Sequence, residues 1–316
     1  MITLVVLAFN EENNIKTTID SYIDEFQQII LINDGSKDGT SEIINSFNYK
    51  NLKILEHKSN KGAGMAFETG INEFLKSDSN YLIKIDGDNQ FKKDDVISIK
   101  KILESKHFDY IKCDRFWNGG IVGKIPFIRY FGNALASLLI KICSGNWSLN
   151  DPLNGLIAMS KEAALMIKFP KRFYKYGYPF FIANKLCRLN NINQFKIGQF
   201  KNVVTYGNEK SYLRPINMFI KLISFTIINY FSKIKIKMKF SEYQFSSILD
   251  ISSIIFLIIS FFSLNKFFSI RYFEVDGPQS SWFILFIIFF LLFNFLTTIS
   301  QRIENKISKI FFQDIN

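Results

Sequence analysis

Over its first two thirds, the chain alternates short apolar runs with longer segments in which polar and apolar residues are mixed. The apolar runs have the length of β-strands; they are Ile2–Phe9, Ile29–Ile32, Leu52–Leu55, Tyr81–Ile85 and Tyr110–Cys113. Strands that alternate with helices in this way form βαβ units, in which the strands run parallel. The pattern therefore predicts an α/β domain with a mostly parallel sheet from Met1 to about Val204.

The last third of the chain has a different pattern, because two segments are apolar on every face. Ser246–Leu264 and Ser281–Ile299 are each close to the ~20 residues that a helix needs to cross a bilayer. The alternative is a pair of buried core helices, but the second segment carries no charge, which favours a membrane span. Asp250 lies near the start of the first segment and is expected at the membrane interface; a functional acid inside the membrane is the alternative.

Cationic residues flank this pair of segments and predict its orientation. Both outer flanks are basic, whereas the connecting loop mixes Lys266 and Arg271 with Glu274 and Asp276. The flanking cations are Lys233, Lys235, Lys237 and Lys239 before the first segment, and Arg302, Lys306 and Lys309 after the second. We therefore expect both ends in the cytoplasm, with a basic linker at 211–242, a membrane part at 243–300 and a cytoplasmic tail at 301–316.

Two further apolar runs of helix length carry isolated cations. Ile125–Cys143 contains Arg129 and Lys141, and Pro215–Phe231 contains Lys221. They could be core helices, but beside membrane spans such segments more often lie in the membrane surface with their cations toward the headgroups. The interfacial interpretation predicts an active site that opens onto the bilayer.

The overall composition excludes some classes of protein. A net charge of +11 would suit nucleic acid, but the chain is also rich in Phe, Ile and Asn, which indicates a general bias. We therefore expect no nucleic-acid partner. Cys113, Cys143 and Cys187 are widely spaced, which is typical of reduced thiols in a cytosolic portion. The first residues run directly into a predicted strand, so no cleaved signal peptide is expected.

Acidic and glycine residues follow the predicted strands at two places. LINDGSKDGT occupies 31–40 and IKIDGDNQF occupies 83–91. Helices are expected to begin at Asn10–Glu12 and after Asp38-Gly39, with Thr40 as an N-cap. Because strand ends facing helix starts gather backbone N–H groups suited to a diphosphate, the pattern predicts a nucleotide and metal site.

The second of these stretches carries the candidate metal ligands. In an extended segment Asp86, Asp88 and Gln90 would point the same way, so that their oxygens could bind Mg²⁺ or Mn²⁺ and neutralise a departing diphosphate. A D-x-D sequence alone is common on protein surfaces. In the first stretch Asp34 and Ser36 could bind a base or ribose beside Gly35, and a simple polar turn is the alternative.

Taken in order, the motifs resemble those of family 2 glycosyltransferases with a GT-A fold, over roughly residues 1–210. The matching segments are VVLAFNEENNI at 5–15, INDGSKDGT, NKGAGMAFETGI at 60–71, KIDGDNQF, the arginine of KCDRF, and DPLNG at 151–155. Within the family, DPLNG, YGNEKS at 206–211 and two C-terminal spans are similar to the branch containing dolichol-phosphate mannose synthases and bacterial undecaprenyl-phosphate glucosyltransferases.

The resemblance implies a role for each matched residue. Those implied to bind the nucleotide are Ala8, Asn10, Glu11, Asp34, Lys61, Gly62 and Asp86; those implied to bind metal are Asp86, Asp88 and Gln90. Asp151 matches an acid near the sugar and acceptor, and with Asp88 and Arg115 it forms the implied catalytic set. Arg115, Arg129 and Lys210 are candidates for the lipid phosphate, because a phosphate requires cations. For Arg129 and Lys210 a simple headgroup contact is the alternative.

The chain departs from the family pattern at two places. Asn33 stands where relatives usually have an acid, which leaves the base preference open, and Tyr178–Leu189 contains none of the acids that some relatives carry there. A sugar contact expected from that segment is therefore in doubt.

The implied reaction is inverting transfer of a hexose from a nucleotide sugar to a polyprenyl phosphate, undecaprenyl or dolichyl phosphate, at the cytoplasmic membrane face. UDP-glucose, UDP-galactose, UDP-N-acetylglucosamine and GDP-mannose all fit the motifs. The alternatives are a glycolipid or polysaccharide acceptor and a catalytically silent scaffold. The oligomeric state is open, with a homo-oligomer among the options.

Overall fold

The computed structural model describes residues 1–105, 107–117, 120–122, 127–188, 195–205, 215–273, 277–308 and 312–315. The strands within these ranges are β1 (Ile2–Ala8), β2 (Gln28–Asn33), β3 (Leu52–Glu56), β4 (Tyr81–Asp86), β5 (Tyr110–Asp114), β6 (Ile121–Val122), β7 (Ile157–Ser160), β8 (Ile197–Lys201), β9 (Val204–Thr205) and β10 (Phe312–Ile315). Eight of them form one sheet in the order β10-β8-β5-β7-β4-β1-β2-β3, and β6 pairs with β9. The five predicted strands are confirmed.

Helices surround this sheet on both faces. They are α1 (Ile15–Tyr22), α2 (Thr40–Asn45), α3 (Ala63–Phe74), α4 (Lys93–Ser105), α5 (Phe127–Ser144), α6 (Lys161–Leu165), a 3-10 helix at Lys171–Phe173, and α7 (Tyr178–Cys187). Every residue of β1 is buried, with Val5 and Leu7 in one core and Leu4 and Val6 in the other. A parallel strand that is buried on both faces has a continuous apolar sequence. This is why β1 could be predicted from the sequence pattern.

The sheet is mostly parallel, as predicted, except at β7. This strand runs antiparallel between β4 and β5, so the segment that precedes it returns to the carboxyl end of β4. Gly155 lies there against Asp86, and a Cβ atom at Gly155 would be 2.5 Å from Asp86 Oδ2. The topology therefore brings the predicted DPLNG element to the predicted metal site.

The cysteines lie inside the protein. Cys113, Cys143 and Cys187 are free and buried. Burial raises the pKa of each thiol, to about 12 for Cys143, which favours the unreactive protonated form.

Two helices present an apolar face away from the sheet. One is α5, and the other is α8 (Pro215–Lys237), which packs against it and is longer than the predicted 215–231 segment. On α5 the face includes Phe127, 80% exposed, and Phe131, 57% exposed. On α8 it includes Ile220, Ile227, Ile228 and Phe231, each more than 50% exposed, whereas Leu222 and Phe225 on the other side are buried.

Two long helices follow, α9 (Ser241–Phe273) and α10 (Gln279–Ser308). They contain the predicted spans and pack against each other along their length. Both are long and apolar enough to cross a membrane, judged by length and composition. The predicted spans are shorter than the helices because the polar ends of each helix continue beyond the apolar stretch.

A buried group of charges joins α8 to the long helices. Lys237 Nζ lies 2.6 Å from both Asp250 Oδ2 and Glu304 Oε1, and Lys233 Nζ lies 2.9 Å from Glu304 Oε1. Ser300 Oγ donates to Asp250 Oδ1 at 2.6 Å. Lys233 and Lys237 are therefore ion-paired inside the protein, which differs from their expected place in an open basic flank. Asp250, expected at the membrane interface, is only 3% exposed and packs within the helices.

The segment expected to be a tail, 301–316, has regular structure where it is described. Residues up to Ser308 complete α10, and β10 pairs in parallel with β8 at the edge of the main sheet. The expectation of a separate tail was wrong because a four-residue strand gives too short a pattern to be recognised before its partner is known.

Candidate active site

The carboxyl ends of β1 and β2 carry loops that are bound to each other. Asn10, with φ of 58°, donates its backbone N–H to Ser36 Oγ at 3.0 Å, and its side-chain Oδ1 accepts from Lys37 N–H at 2.8 Å. Glu11 N–H donates to Thr40 Oγ1 at 2.7 Å. The expected N-cap role of Thr40 was wrong: Gly39 caps α2, and the Thr40 hydroxyl serves the neighbouring loop. The first helix begins at Ile15, later than expected at Asn10–Glu12.

Asp34 binds the loop that precedes α3. Its carboxylate accepts from Lys61 N–H at 2.9 Å and Gly62 N–H at 2.7 Å, and His57 Nδ1 lies 2.6 Å from Oδ1. His57 also contacts Thr69 through Nε2 at 3.0 Å. The structure therefore gives Asp34 a role in holding the 61–62 loop, with His57 behind it. His57 lies outside the motifs, so no role was predicted for it.

Position 62 requires a glycine for two reasons. Its φ of 98° lies in the region that favours glycine, and a Cβ atom would be 2.6 Å from Lys175 Cα. The loop and the segment that follows the 3-10 helix therefore pack closely, and both line the same cavity.

Asn33, the departure from the family pattern, is turned into the protein. Its amide donates to Ser41 Oγ and Glu56 Oε1 at 2.7 Å, and its carbonyl accepts from Ser36 at 2.7 Å. Asn33 is 1% exposed, so its side chain supports the Ser36 loop.

The predicted metal residues follow β4, but not in an extended segment. The strand ends at Asp86, and residues 87–89 form a turn in which Asn89 has φ of 56°. Asp86 and Asp88 both line the cavity. Gln90 lies beyond the turn, where its backbone carbonyl accepts from Thr205 N–H at 3.2 Å. The alternation expected for an extended strand was wrong, because the chain turns after Asp86 and Asn89 has a left-handed φ.

Lys84, the first residue of the KIDGDNQF motif, is a site residue for which no role was predicted. Its side chain is fully buried, and its Nζ lies 2.6 Å from Asp86 Oδ1 and 5.3 Å from the centre of the Tyr178 ring. Burial alone would lower the pKa of Lys84, but the Asp86 carboxylate and Tyr178 raise it above its usual value. Tyr178, in the segment without acids, is buried too, and burial raises its pKa to about 12. The available signal was a lysine inside the otherwise apolar strand YLIKID.

The carboxylates at the end of β4 fit a hard divalent cation in part. Asp88 supplies carboxylate oxygen at the cavity, which Mg²⁺ and Mn²⁺ both accept. Asp86 Oδ1 is engaged by Lys84, and Oδ2 lies near Gly155. Among the described residues, no group of three or more His, Cys, Asp or Glu side chains has the arrangement of a metal site. A cation held here would therefore complete its coordination with oxygens from other sources, such as water or a bound phosphate.

Arg115 and Asp151 form a buried pair. Arg115 Nε lies 3.0 Å from Asp151 Oδ2, and a second guanidinium nitrogen donates to Oδ1 at 3.1 Å. Asp151 is fully buried with φ of 45°, and Asn154 also donates to its Oδ2, at 3.0 Å. The two residues, predicted separately for acceptor phosphate and sugar, bind each other. Arg129 lies half-buried on α5, and Lys210 falls outside the described residues.

A cavity of about 1150 Å³ is lined by most of the predicted nucleotide-binding and metal-binding residues. The predicted residues in its lining are Ala8, Asn10, Glu11, Asp34, Lys61, Gly62, Asp86 and Asp88. The lining also includes cations for which no role in the site was predicted, from the 3-10 helix, the segment after it and α8: Lys171, Arg172, Lys175 and Lys221. The cavity thus joins the strand ends to α8.

Several named relatives of this chain are dolichyl-phosphate glycosyltransferases. Over 235 residues the chain is 27% identical to a UDP-N-acetylglucosamine–dolichyl-phosphate N-acetylglucosaminyltransferase of Methanococcus voltae, covering 70% of this chain and 91% of that protein. It is 32% identical over 116 residues to a dolichyl-phosphate beta-glucosyltransferase of Trichomonas vaginalis, covering 33% and 34% of the two chains.

Solved structures show the same fold. Glucosyl-3-phosphoglycerate synthase from Mycobacterium tuberculosis, in a complex with Mn²⁺ and UDP, matches with a TM-score of 0.52 at 19% identity, over 74% of this chain and 79% of that one. The model of the glycosyl transferase family 2 matches residues 3–163, just over half of the chain. The expected resemblance is thereby confirmed: this chain belongs to glycosyl transferase family 2, has a GT-A-like fold, and is a glycosyltransferase.

Proposed function

We propose that this glycosyltransferase transfers a hexose or N-acetylhexosamine from a nucleotide sugar to a polyprenyl phosphate. The observation that carries the proposal is the cavity, which extends from carboxylates at the strand ends to α8, the helix whose other face is apolar and exposed. A polar donor and a lipid acceptor need that combination. The dolichyl-phosphate transferases among the relatives support the same acceptor class.

The acceptor determines what the protein must do. A phosphate monoester is largely ionised at neutral pH, with a second pKa near ~6, so its oxygen needs no general base. The site must hold two anionic reactants together and exclude water. When bound by Asp88 and the donor phosphates, Mg²⁺ or Mn²⁺ would supply positive charge to the leaving diphosphate.

The remaining residues act by positioning. Lys84 fixes one oxygen of Asp86, and Asp34 fixes the 61–62 loop through two backbone N–H groups. Asp151 is fully buried and already accepts from Arg115 and Asn154. We propose that Asp151 orients Arg115, so that the guanidinium has a fixed direction for binding an anion.

The exposed apolar faces support a membrane arrangement. We propose that α9 and α10 cross the bilayer, and that α5 and α8 lie at the headgroup level beside the cavity. The exposed flanking residues Lys235 and Lys239 favour the cytoplasmic side, since cations are enriched there. Nucleotide sugars are available on that side.

A donor panel tests the proposed reaction. Purified protein in detergent would be incubated with undecaprenyl or dolichyl phosphate, Mg²⁺ or Mn²⁺, and radiolabelled UDP-N-acetylglucosamine, UDP-glucose, UDP-galactose or GDP-mannose. Label in the organic phase from one donor would identify the sugar and support the acceptor class. Folded protein that labels no lipid would contradict the proposal, and would favour a glycolipid or polysaccharide acceptor or a silent scaffold.

Asp88→Asn is the sharpest variant for this assay. It removes a ligand charge without changing side-chain size, so we expect turnover to fall by at least about a hundredfold while the protein remains folded. Asp94→Asn, an exposed carboxylate on α4, is the matched control and should keep full activity. Normal turnover of Asp88→Asn with either metal would contradict the metal assignment.

A further inference from the structure

The cavity has two kinds of charged wall. Its carboxylates come from the ends of β1, β2 and β4, whereas four of its cations come from elsewhere in the chain: Lys171, Arg172, Lys175 and Lys221. Within the described part of the chain, no carboxylate oxygen lies within 4.0 Å, the limit for an ion pair, of the charged nitrogens of these four residues. Their positive charge is therefore open to an anion in the cavity.

Two of the cations are held in place by aromatic rings. Lys221 Nζ lies 4.9 Å from the centre of the Phe173 ring and donates to the Tyr176 carbonyl at 3.0 Å. Arg172 Cζ lies 5.8 Å from the centre of the Phe225 ring. The two rings contact each other edge to face, with centroids 5.0 Å apart. Cation–π contacts of this kind fix the direction of a charge without neutralising it.

The two cations also affect each other. Burial and the nearby charge of Arg172 both lower the pKa of Lys221. Like charges held together at a partly buried site are unfavourable unless an anion binds between or beside them. A fold that keeps this arrangement on the wall of a substrate cavity has the features of an anion site.

We propose that Arg172 and Lys221 form a phosphate-binding site in the cavity wall, separate from the Arg115–Asp151 pair. The ligand is a phosphate group, either the acceptor's monoester or the donor's diphosphate; this choice of ligands rests on the proposed function. Lys221 adjoins the exposed Ile220 on α8, so a lipid phosphate bound there could extend its chain along the apolar face. That position favours the acceptor as the source.

Kinetics of charge-removing variants test the site. In Arg172→Gln/Lys221→Gln, the loss of hydrogen bonds to a charged group should raise one KM by about tenfold or more. Lys235→Gln, an exposed lysine on the same helix, is the control and should change neither KM. A rise in acceptor KM assigns the site to the lipid phosphate, and a rise in donor KM assigns it to the diphosphate. Two unchanged KM values would overturn the proposal.

A binding measurement separates this inference from the proposed reaction. Inorganic pyrophosphate titrated calorimetrically into detergent-solubilised protein without divalent cation should bind at least about tenfold more weakly to the double variant. The variant Arg172→Lys keeps the charge but loses the planar guanidinium, so its binding should be intermediate between wild type and the double variant. This result does not require sugar transfer, so it holds even if the acceptor proves to be another molecule. Equal binding by wild type and the double variant, both shown to be folded by thermal unfolding, would contradict the site.

Discussion

Lys84 places a positive charge inside the sheet, directly beneath the candidate metal site. Its side chain is fully buried while that of Asp86 is 33% exposed, so the ammonium faces the protein and the carboxylate reaches the cavity. A buried charge is tolerated only when it is paired. Asp86 is therefore both the partner of Lys84 and a group available to the ligand, and its orientation depends on the lysine.

Replacing Lys84 by Met tests that dependence. A hydrogen bond to a charged group contributes about 1.5 to 3 kcal/mol, so we expect kcat/KM for the donor to fall by about tenfold or more. Lys53→Met, on the exposed surface of β3, should have little effect. Steady-state kinetics with varied donor would check this, and an unchanged donor KM and kcat would remove Lys84 from the site.

Arg115→Ala is expected to affect stability as well as activity. Asp151 is fully buried, and removal of one partner from a buried pair costs about 3 to 5 kcal/mol. We expect a lower unfolding midpoint in denaturant, together with a raised acceptor KM. Arg115→Met/Asp151→Asn should recover part of the stability and none of the acceptor affinity. A stable Arg115→Ala protein would show that the ion pair is dispensable.

At the residue scale, sequence located groups that belong to contiguous motifs. Asp34, Asp86 and Asp88 lie at strand ends, where the chain pattern predicted ligand contacts, and all three line the cavity. His57, Arg172 and Lys221 could not be found in this way. Each reaches the site from a different part of the chain, and only the packing of α8 against α5 and the 3-10 helix brings those two cations to the cavity.

The exposed apolar faces of α5 and α8 distinguish these elements from ordinary core helices. Large exposed apolar patches on a protein surface usually mark an interaction site. On α8 the buried side packs through Phe225 into the aromatic group around Phe173, while Ile227 and Phe231 point away. The helix therefore links the cavity wall to an exposed apolar surface, the one that we propose faces the membrane.

Charges introduced on that surface should affect transfer to the lipid acceptor more than hydrolysis of the donor. We expect Ile227→Glu/Phe231→Glu to reduce transfer to a long-chain polyprenyl phosphate in anionic liposomes by about tenfold, because two acidic groups oppose contact with the bilayer. Hydrolysis of the donor should change little. Leu165→Glu, at a 67% exposed position on α6, is the control. Equal loss of both activities would indicate a damaged fold and contradict the surface assignment.

Element boundaries were predicted less well than element types. The strands were located because each is a buried apolar run, whereas the start of α2 depends on Asp38 and Thr40, whose side chains bind each other and the neighbouring loop. The turn after Asp86 was missed because a positive φ at Asn89 leaves no pattern in hydropathy. Local sequence specifies what is buried, and contacts between loops decide where an element ends.

Across the whole molecule, the charge group of Lys233, Lys237, Asp250 and Glu304 joins the catalytic part to the long helices. Lys233 also donates to the Ile142 carbonyl at the end of α5, at 3.0 Å. The helices α5, α8, α9 and α10 thus meet at one set of buried ion pairs. Such pairs contribute little net stability but are costly to break singly.

Lys237→Met should therefore destabilise the whole protein. It leaves Asp250 and Glu304 without their shared partner, and we expect a lower thermal unfolding temperature in detergent, with a loss of about 3 kcal/mol. Lys239→Met, an exposed lysine two residues away, is the control. Adding Asp250→Asn to Lys237→Met should recover part of the loss; unfolding temperatures that match the wild type throughout would contradict a structural role.

The strand β10 lies beside β8, although the two long helices separate them in the chain. During synthesis β8 leaves the ribosome first, and its outer edge stays open until residues 312–315 have followed the helical hairpin. An open strand edge can pair with other chains and cause aggregation. Completion of the sheet must therefore wait for the helical hairpin, so delayed formation of the hairpin would leave the nascent enzyme exposed to misassembly and quality control.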